Sequence, residues 1–237
     1  MIASTVLRQV VYRANMVLYE SGLVTQTFGN VSGVDRQAGL FVIKPSGVPY
    51  ESLTPDNLVP ISLETGGVLG GSLRPSSDTP THWELYRAFA SIGGIAHSHS
   101  PYATAFAQAG VPLPCMGTTH ADYFKGDVPV TRPLTAREVK TDYEKNTGIV
   151  IVETFKSTRL SADDIPGVLV QSHGPFTWGA DAMVAVEHSR ILEYLAQVDV
   201  ASRTLNPEPT RPAPFLIDKH FSRKHGKDRY YGQPEGS

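Results

Sequence analysis

The sequence predicts an α/β protein built as one domain, with a central, mostly antiparallel β-sheet covered by α-helices. Three observations carry that expectation. Short apolar runs face each other across polar turns, as Phe28 to Val34 does with Leu40 to Ile43, and runs so arranged argue for hairpins. Segments of helical spacing are interspersed among these runs, which suits helices layered on a sheet. A chain of 237 residues with 41% hydrophobic content is sufficient for one large core.

The elements follow in order. From Thr5 to Glu20 the positions Val6, Val10, Val11, Ala14, Val17 and Leu18 recur at three and four residues, the period of an amphipathic helix, and Gly22 stops it. The first hairpin comes next, and Pro45-Ser46-Gly47 breaks its second strand and exposes backbone amides. Leu58 to Leu63 and Val68 suggest a second hairpin around Glu64-Thr65-Gly66-Gly67. Ser76-Ser77-Asp78-Thr79-Pro80 is a capping sequence with proline in the first turn, and the helix body runs from Thr81 to Ala90. Ile95-Ala96 reads as the end of a buried strand that carries His97-Ser98-His99, and Pro101 opens a helix to Ala109. Val111 starts an extended segment, Thr135 to Phe155 carries helical spacing in two pieces, and Gly167 to Gln171 is a short strand from which His173-Gly174-Pro175 turns away. Ala182 to Val200 is the longest amphipathic helix. The proline-rich stretch 206–214 links it to a final helix, Phe215 to Lys224.

Composition narrows the function classes. Net charge is −2, so no overall basic field exists to draw nucleic acid or an anionic membrane. The single cysteine, Cys115, cannot close an intrachain disulfide and sits in an apolar run, which points to a small buried side chain and a reducing cytoplasm. The first residues lack the charged start and cleavage site of a signal peptide, and no apolar run has membrane-spanning length.

The chemistry centres on His97-Ser98-His99. Side chains two apart on a strand project to one face, so the two imidazoles could share a metal ion, although backbone carbonyls could equally satisfy an isolated pair. His173 sits in a turn, where a structural role is the simpler reading, and Asp78 stands where an ordinary helix cap would. Ser46, Gly47, Ser76 and Ser77 are either turn and cap residues or an anion cradle, since Gly47 admits close backbone approach and a helix N-terminus favours negative charge.

Taken together, GNVSG, IKPSGVPYESLTPDNLV, PSSDTPTHWELY, AHSHSPYATAFA, TTHADYF and QSHG resemble the class II aldolase/adducin family over nearly the whole chain. Ser-Ser-Asp, where one branch has Ser-Ser-Glu, and the ending KHGKDRYYGQ resemble the L-ribulose-5-phosphate 4-epimerase branch. The resemblance implies a divalent metal, zinc first with manganese or cobalt as alternatives, held by Asp78, His97, His99 and His173. It implies a phosphorylated pentulose substrate whose phosphate meets Asn30, Lys44, Ser46, Gly47, Ser76 and Ser77. Asp122 and Tyr231 match the acid/base residues, with Tyr230 the alternate to Tyr231. His120 and His220 would orient that pair, while His82, His188 and His225 are assigned to helix surfaces. The resemblance further implies a cytoplasmic homotetramer with active sites at subunit boundaries, residues 206–237 contributing to that boundary. Carbon 4 would be inverted by breaking and re-forming the bond between carbons 3 and 4.

Overall fold

The computed structural model describes residues 5–227 and 229–231. Among them a six-stranded sheet runs in the order β3-β2-β1-β4-β6-β5, every neighbouring pair antiparallel. The strands are β1 (Asn30–Asp35), β2 (Leu40–Ile43), β3 (Val59–Ser62), β4 (Gly94–His97), β5 (Gly167–Leu169) and β6 (Pro175–Gly179). The helices are α1 (Thr5–Glu20), α2 (Thr79–Ala88), α3 (Pro101–Ala109), α4 (Thr118–Ala121), α5 (Ala136–Thr158), α6 (Ala182–Leu205) and α7 (Pro214–His225). No helix among the described residues is long and apolar enough to cross a membrane.

The sheet is buried on both faces, and β2 shows how. Its four residues are all apolar and all buried, with Phe41 and Ile43 on one side and Leu40 and Val42 on the other, as a period of two requires. The first side packs against Leu85 and Tyr86 of α2 and Ile151 and Phe155 of α5. The second packs against Val11, Ala14 and Leu18 of α1 and Ala182, Ala185 and Val186 of α6. Helices on both faces of one sheet make the α/β/α sandwich that the sequence predicts. In contrast, α7 buries none of its side chains.

Several boundaries differ from expectation, among them the ends of α2, at Thr79 and Ala88, and of β5, at Leu169. The sequence predicts only a turn around Pro175, yet β6 pairs there with both β4 and β5; its five residues are all buried, so polar alternation does not mark it. β4 ends at His97, which leaves Ser98 and His99 beyond the strand. The second hairpin reduces to β3 and one isolated bridge, Ile61 to Val68. α6 continues five residues past Val200, to Leu205. The two-piece reading of α5 is observed as a break at Asp142, with φ −160° and ψ 74°.

Candidate metal and phosphate site

β4 ends at His97 in the interior of the sheet, paired with Asn30 of β1 and Phe176 of β6. Its ring stacks on Phe176 at 4.0 Å between centroids, and its Nδ1 lies 2.9 Å from the Pro175 carbonyl. A carbonyl can only accept, so Nδ1 carries the proton and Nε2 of the neutral ring is left as a lone pair. That nitrogen lies 3.1 Å from Nε2 of His99, which turns back from the loop after the strand. His173 closes the group from the tight turn between β5 and β6, where Ser172 adopts φ 62°. One ligating nitrogen from each of the three lies within 4.8 Å of the others. Burial pushes His97 and His173 down to about 3, each lowered further by a neighbouring imidazole, and burial also lowers His99. All three are neutral at pH 7, the form that ligates metals.

Asp78 occupies the N-cap position of α2 but makes no side-chain cap hydrogen bond. Instead its Oδ2 accepts from Asn30 Nδ2 at 2.7 Å and stands 3.9 Å from His97 Nε2. Three converging neutral imidazoles with a carboxylate alongside fit a divalent ion of the borderline kind, zinc above all.

A cavity of about 370 Å³ contains this cluster and all the residues predicted to meet phosphate: Asn30, Lys44, Ser46, Gly47, Ser76 and Ser77. Two expectations about that cradle change. The loops carrying Ser46 and Ser76 bridge each other, the Ser46 amide donating to the Arg74 carbonyl and the Ser76 amide to that of Lys44, both at 2.9 Å, so these amides are not exposed. Lys44 is 1% exposed: its Nζ donates to the Val48 carbonyl at 2.7 Å, lies 4.7 Å from the Tyr50 ring centroid, and is pushed down by burial to about 8. Gly47 has φ +68°, which favours glycine, and no atom would crowd a Cβ there, so its face of the loop is open. The Ser76 hydroxyl accepts from Asn30 Nδ2 at 3.0 Å, linking the cradle to the same asparagine that holds Asp78.

Asp122 and Tyr231 do not line this cavity. Asp122 ends α4 and is held by α7: Arg223 donates to its carboxylate at 3.1 and 2.8 Å, and His220 lies 3.1 Å from Oδ1. Burial alone would raise this carboxyl, but Arg223 and His220 outweigh it and hold it below the ordinary carboxylate range. Tyr231 is exposed, with Arg223 over its ring, and Tyr230 lies beneath Lys219. Gly232 and Gln233, on which the matching of Tyr231 depends, lie outside the described residues.

Other histidine assignments change too. His120 bonds the Gly126 carbonyl at 2.8 Å and so stiffens the turn after α4, while His225 rather than His120 reaches Asp122, at its backbone carbonyl. His82 is not on a surface; it is fully buried 2.7 Å from Ser32 Oγ. Cys115 is buried as expected, its thiol pushed up to about 11 by burial. Sequence reasoning missed Tyr143 and Glu144, which line the cavity just after the break in α5. The Tyr143 hydroxyl lies 3.4 Å from His173 Nδ1.

Residues 9–200 match the family described as Class II Aldolase and Adducin N-terminal domain. An L-fuculose 1-phosphate aldolase superposes with a TM-score of 0.81 at 24% identity, over 94% of this chain and 97% of its own. L-fuculose-1-phosphate aldolase from Thermus thermophilus gives 0.67 at 25% identity, over 84% and 96%. YgbL from Escherichia coli, for which aldolase, epimerase and decarboxylase activities are candidates, gives 0.71 at 22% identity, over 92% and 99%.

Proposed function

The chain belongs to the class II aldolase and adducin family, and from that premise we propose that it is a divalent-metal-dependent L-ribulose-5-phosphate 4-epimerase, producing D-xylulose 5-phosphate. The observation that carries this reading is the carboxylate of Asp78, released from capping and held by Asn30 beside the three histidines. A short carboxylate restrained there serves as a ligand rather than as a mobile base.

The hydrogen on carbon 4 is not adjacent to the ketose carbonyl, so simple proton abstraction cannot invert that centre. Removal of the carbon 4 hydroxyl proton instead lets the bond between carbons 3 and 4 break, giving an enediolate and glycolaldehyde phosphate. Addition to the opposite face of the aldehyde re-forms the bond with inverted configuration. His97, His99 and His173, with Asp78 beside them, would hold a divalent ion, which would supply Lewis acidity to the substrate. The Ser46-Gly47 and Ser76-Ser77 loops, with Lys44 behind them, retain the phosphate while the aldehyde turns. Asp122 and Tyr231 of a neighbouring subunit in a homotetramer move the hydroxyl protons on either side.

The likeness to two fuculose-phosphate aldolases favours a second reading, cleavage of a sugar 1-phosphate with release of dihydroxyacetone phosphate. A purely binding, adducin-like role is disfavoured by three imidazoles, that of His97 buried, converging on one point. Metal-loaded protein should convert L-ribulose 5-phosphate to D-xylulose 5-phosphate with little free glycolaldehyde phosphate. Cleavage of L-fuculose 1-phosphate without epimerisation would transfer the assignment to the aldolase branch.

A further inference from the structure

Asp122 and Tyr231 come from distant parts of the chain, and one side chain touches both. Nε and Nη2 of Arg223 contact the two oxygens of the Asp122 carboxylate at 3.1 and 2.8 Å. The same guanidinium lies 4.8 Å from the centroid of the Tyr231 ring. The backbone carbonyl of Arg223 accepts the amides of Tyr230 at 3.0 Å and Tyr231 at 3.2 Å, which folds the chain after α7 back over that helix.

We propose that Arg223 is a positioning residue that joins Asp122 and Tyr231 into one preformed proton-transfer unit presented by α4 and α7. The inference rests on the reading of those two residues as proton carriers. A planar fork fixes the orientation of a carboxylate and stacks on an aromatic ring at once, which neither a point charge nor an imidazole can do. His220 contributes a single contact to Oδ1, and His225 reaches only the backbone carbonyl of Asp122. The charged and titratable groups facing Asp122 are thus Arg223 and His220 directly, with Lys224 of α7 and the phenols of Tyr123 and Tyr231 nearby. Without Arg223, burial of the carboxylate would remain while its strongest counter-ion was lost.

The test uses the full-length, metal-loaded enzyme and follows epimerisation of L-ribulose 5-phosphate against pH, with melting temperature and oligomer mass measured in parallel. In Arg223→Gln, kcat should fall about tenfold with KM within twofold, and the acidic limb of kcat/KM should move up by about one pH unit. In Arg223→Lys the limb should return toward that of the parent, because a positive charge is retained, while kcat recovers only in part. An unmoved limb in Arg223→Gln overturns the proposal, whether kcat is normal or falls equally in both variants, the latter marking a merely structural role. A rise in KM at constant kcat also overturns it, since Arg223 would then bind substrate. Asp122→Asn separates the two levels: full turnover in that variant removes the proton-carrier reading, whereas its inactivity beside a parent-like Arg223→Gln removes only the role of Arg223.

Discussion

His97 has both ring nitrogens committed, one to the Pro175 carbonyl and the other to the centre of the triad. His97→Asn should therefore lose bound metal and epimerisation together while the protein stays soluble, because the loss falls on ligation rather than on the wider core. Full metal content with ordinary turnover would remove the ligand assignment. Asp78 makes a subtler case. In Asp78→Glu the longer side chain can leave the ion and act as a base, so free glycolaldehyde phosphate should rise relative to D-xylulose 5-phosphate; an unchanged product ratio would count against this account. At this scale the sequence was legible in residue type, as at His97 and His99, although His99 reaches His97 from the loop and not from the strand that the spacing suggests. It was not legible at His82, which looks like a helix-surface residue until Ser32 on β1 is brought to it. Nor was it legible at Tyr143, whose place depends on where a helix breaks.

Among elements, the pairing of α2 with α5 sets the far wall of the site, since α2 begins at Asp78 and α5 brings Tyr143 and Glu144 to the cavity. Thr81 Oγ1 ties the two by donating to the Glu144 carbonyl at 2.5 Å. They approach closely at Gly148, where a Cβ would lie 2.8 Å from Glu84 Cβ and 3.1 Å from the Thr81 carbonyl. Alanine would gain roughly 0.5–1 kcal/mol of helix propensity, but overpacking against atoms that cannot swing away costs about 1–3 kcal/mol. The clash should win. Gly148→Ala is expected to lower the melting temperature by a few degrees, on the order of 2–4 °C per kcal/mol at this size, and a higher melting temperature would refute the packing argument. Helices such as α1 were readable because one face is apolar and the other wet, whereas the single turn of α4 is too short to show a period. β6 was hidden for the opposite reason: with both faces covered, only pairing across the sheet identifies a strand of that length.

For the molecule as a whole, buried neutral histidines make folding depend on pH. His120 is held by burial at about 4 in the folded chain, against an ordinary value near 6.5. Between those values the unfolded chain binds the proton and the folded chain does not, so stability falls as pH drops from 6.5 to 4, by at most about 3 kcal/mol for this one group. Denaturant unfolding at about pH 7 and about pH 4.5 should show a smaller loss in His120→Gln than in the parent, and parallel losses would clear His120 of the effect. Assembly is testable by complementation. If each site takes its metal half from one subunit and Asp122 from the next, equal mixing of inactive His97→Asn and inactive Asp122→Asn should restore roughly one site in four in a ring of equivalent boundaries. Exchanged but inactive mixtures would return Asp122 to its own chain. α7 carries the contacts to Asp122 yet buries none of its side chains, so the folded core places almost no packing demand on its sequence. Selection can then rewrite this segment without first solving a stability problem. A lineage could keep its inherited metal centre and diverge in chemistry through the stretch that follows α6.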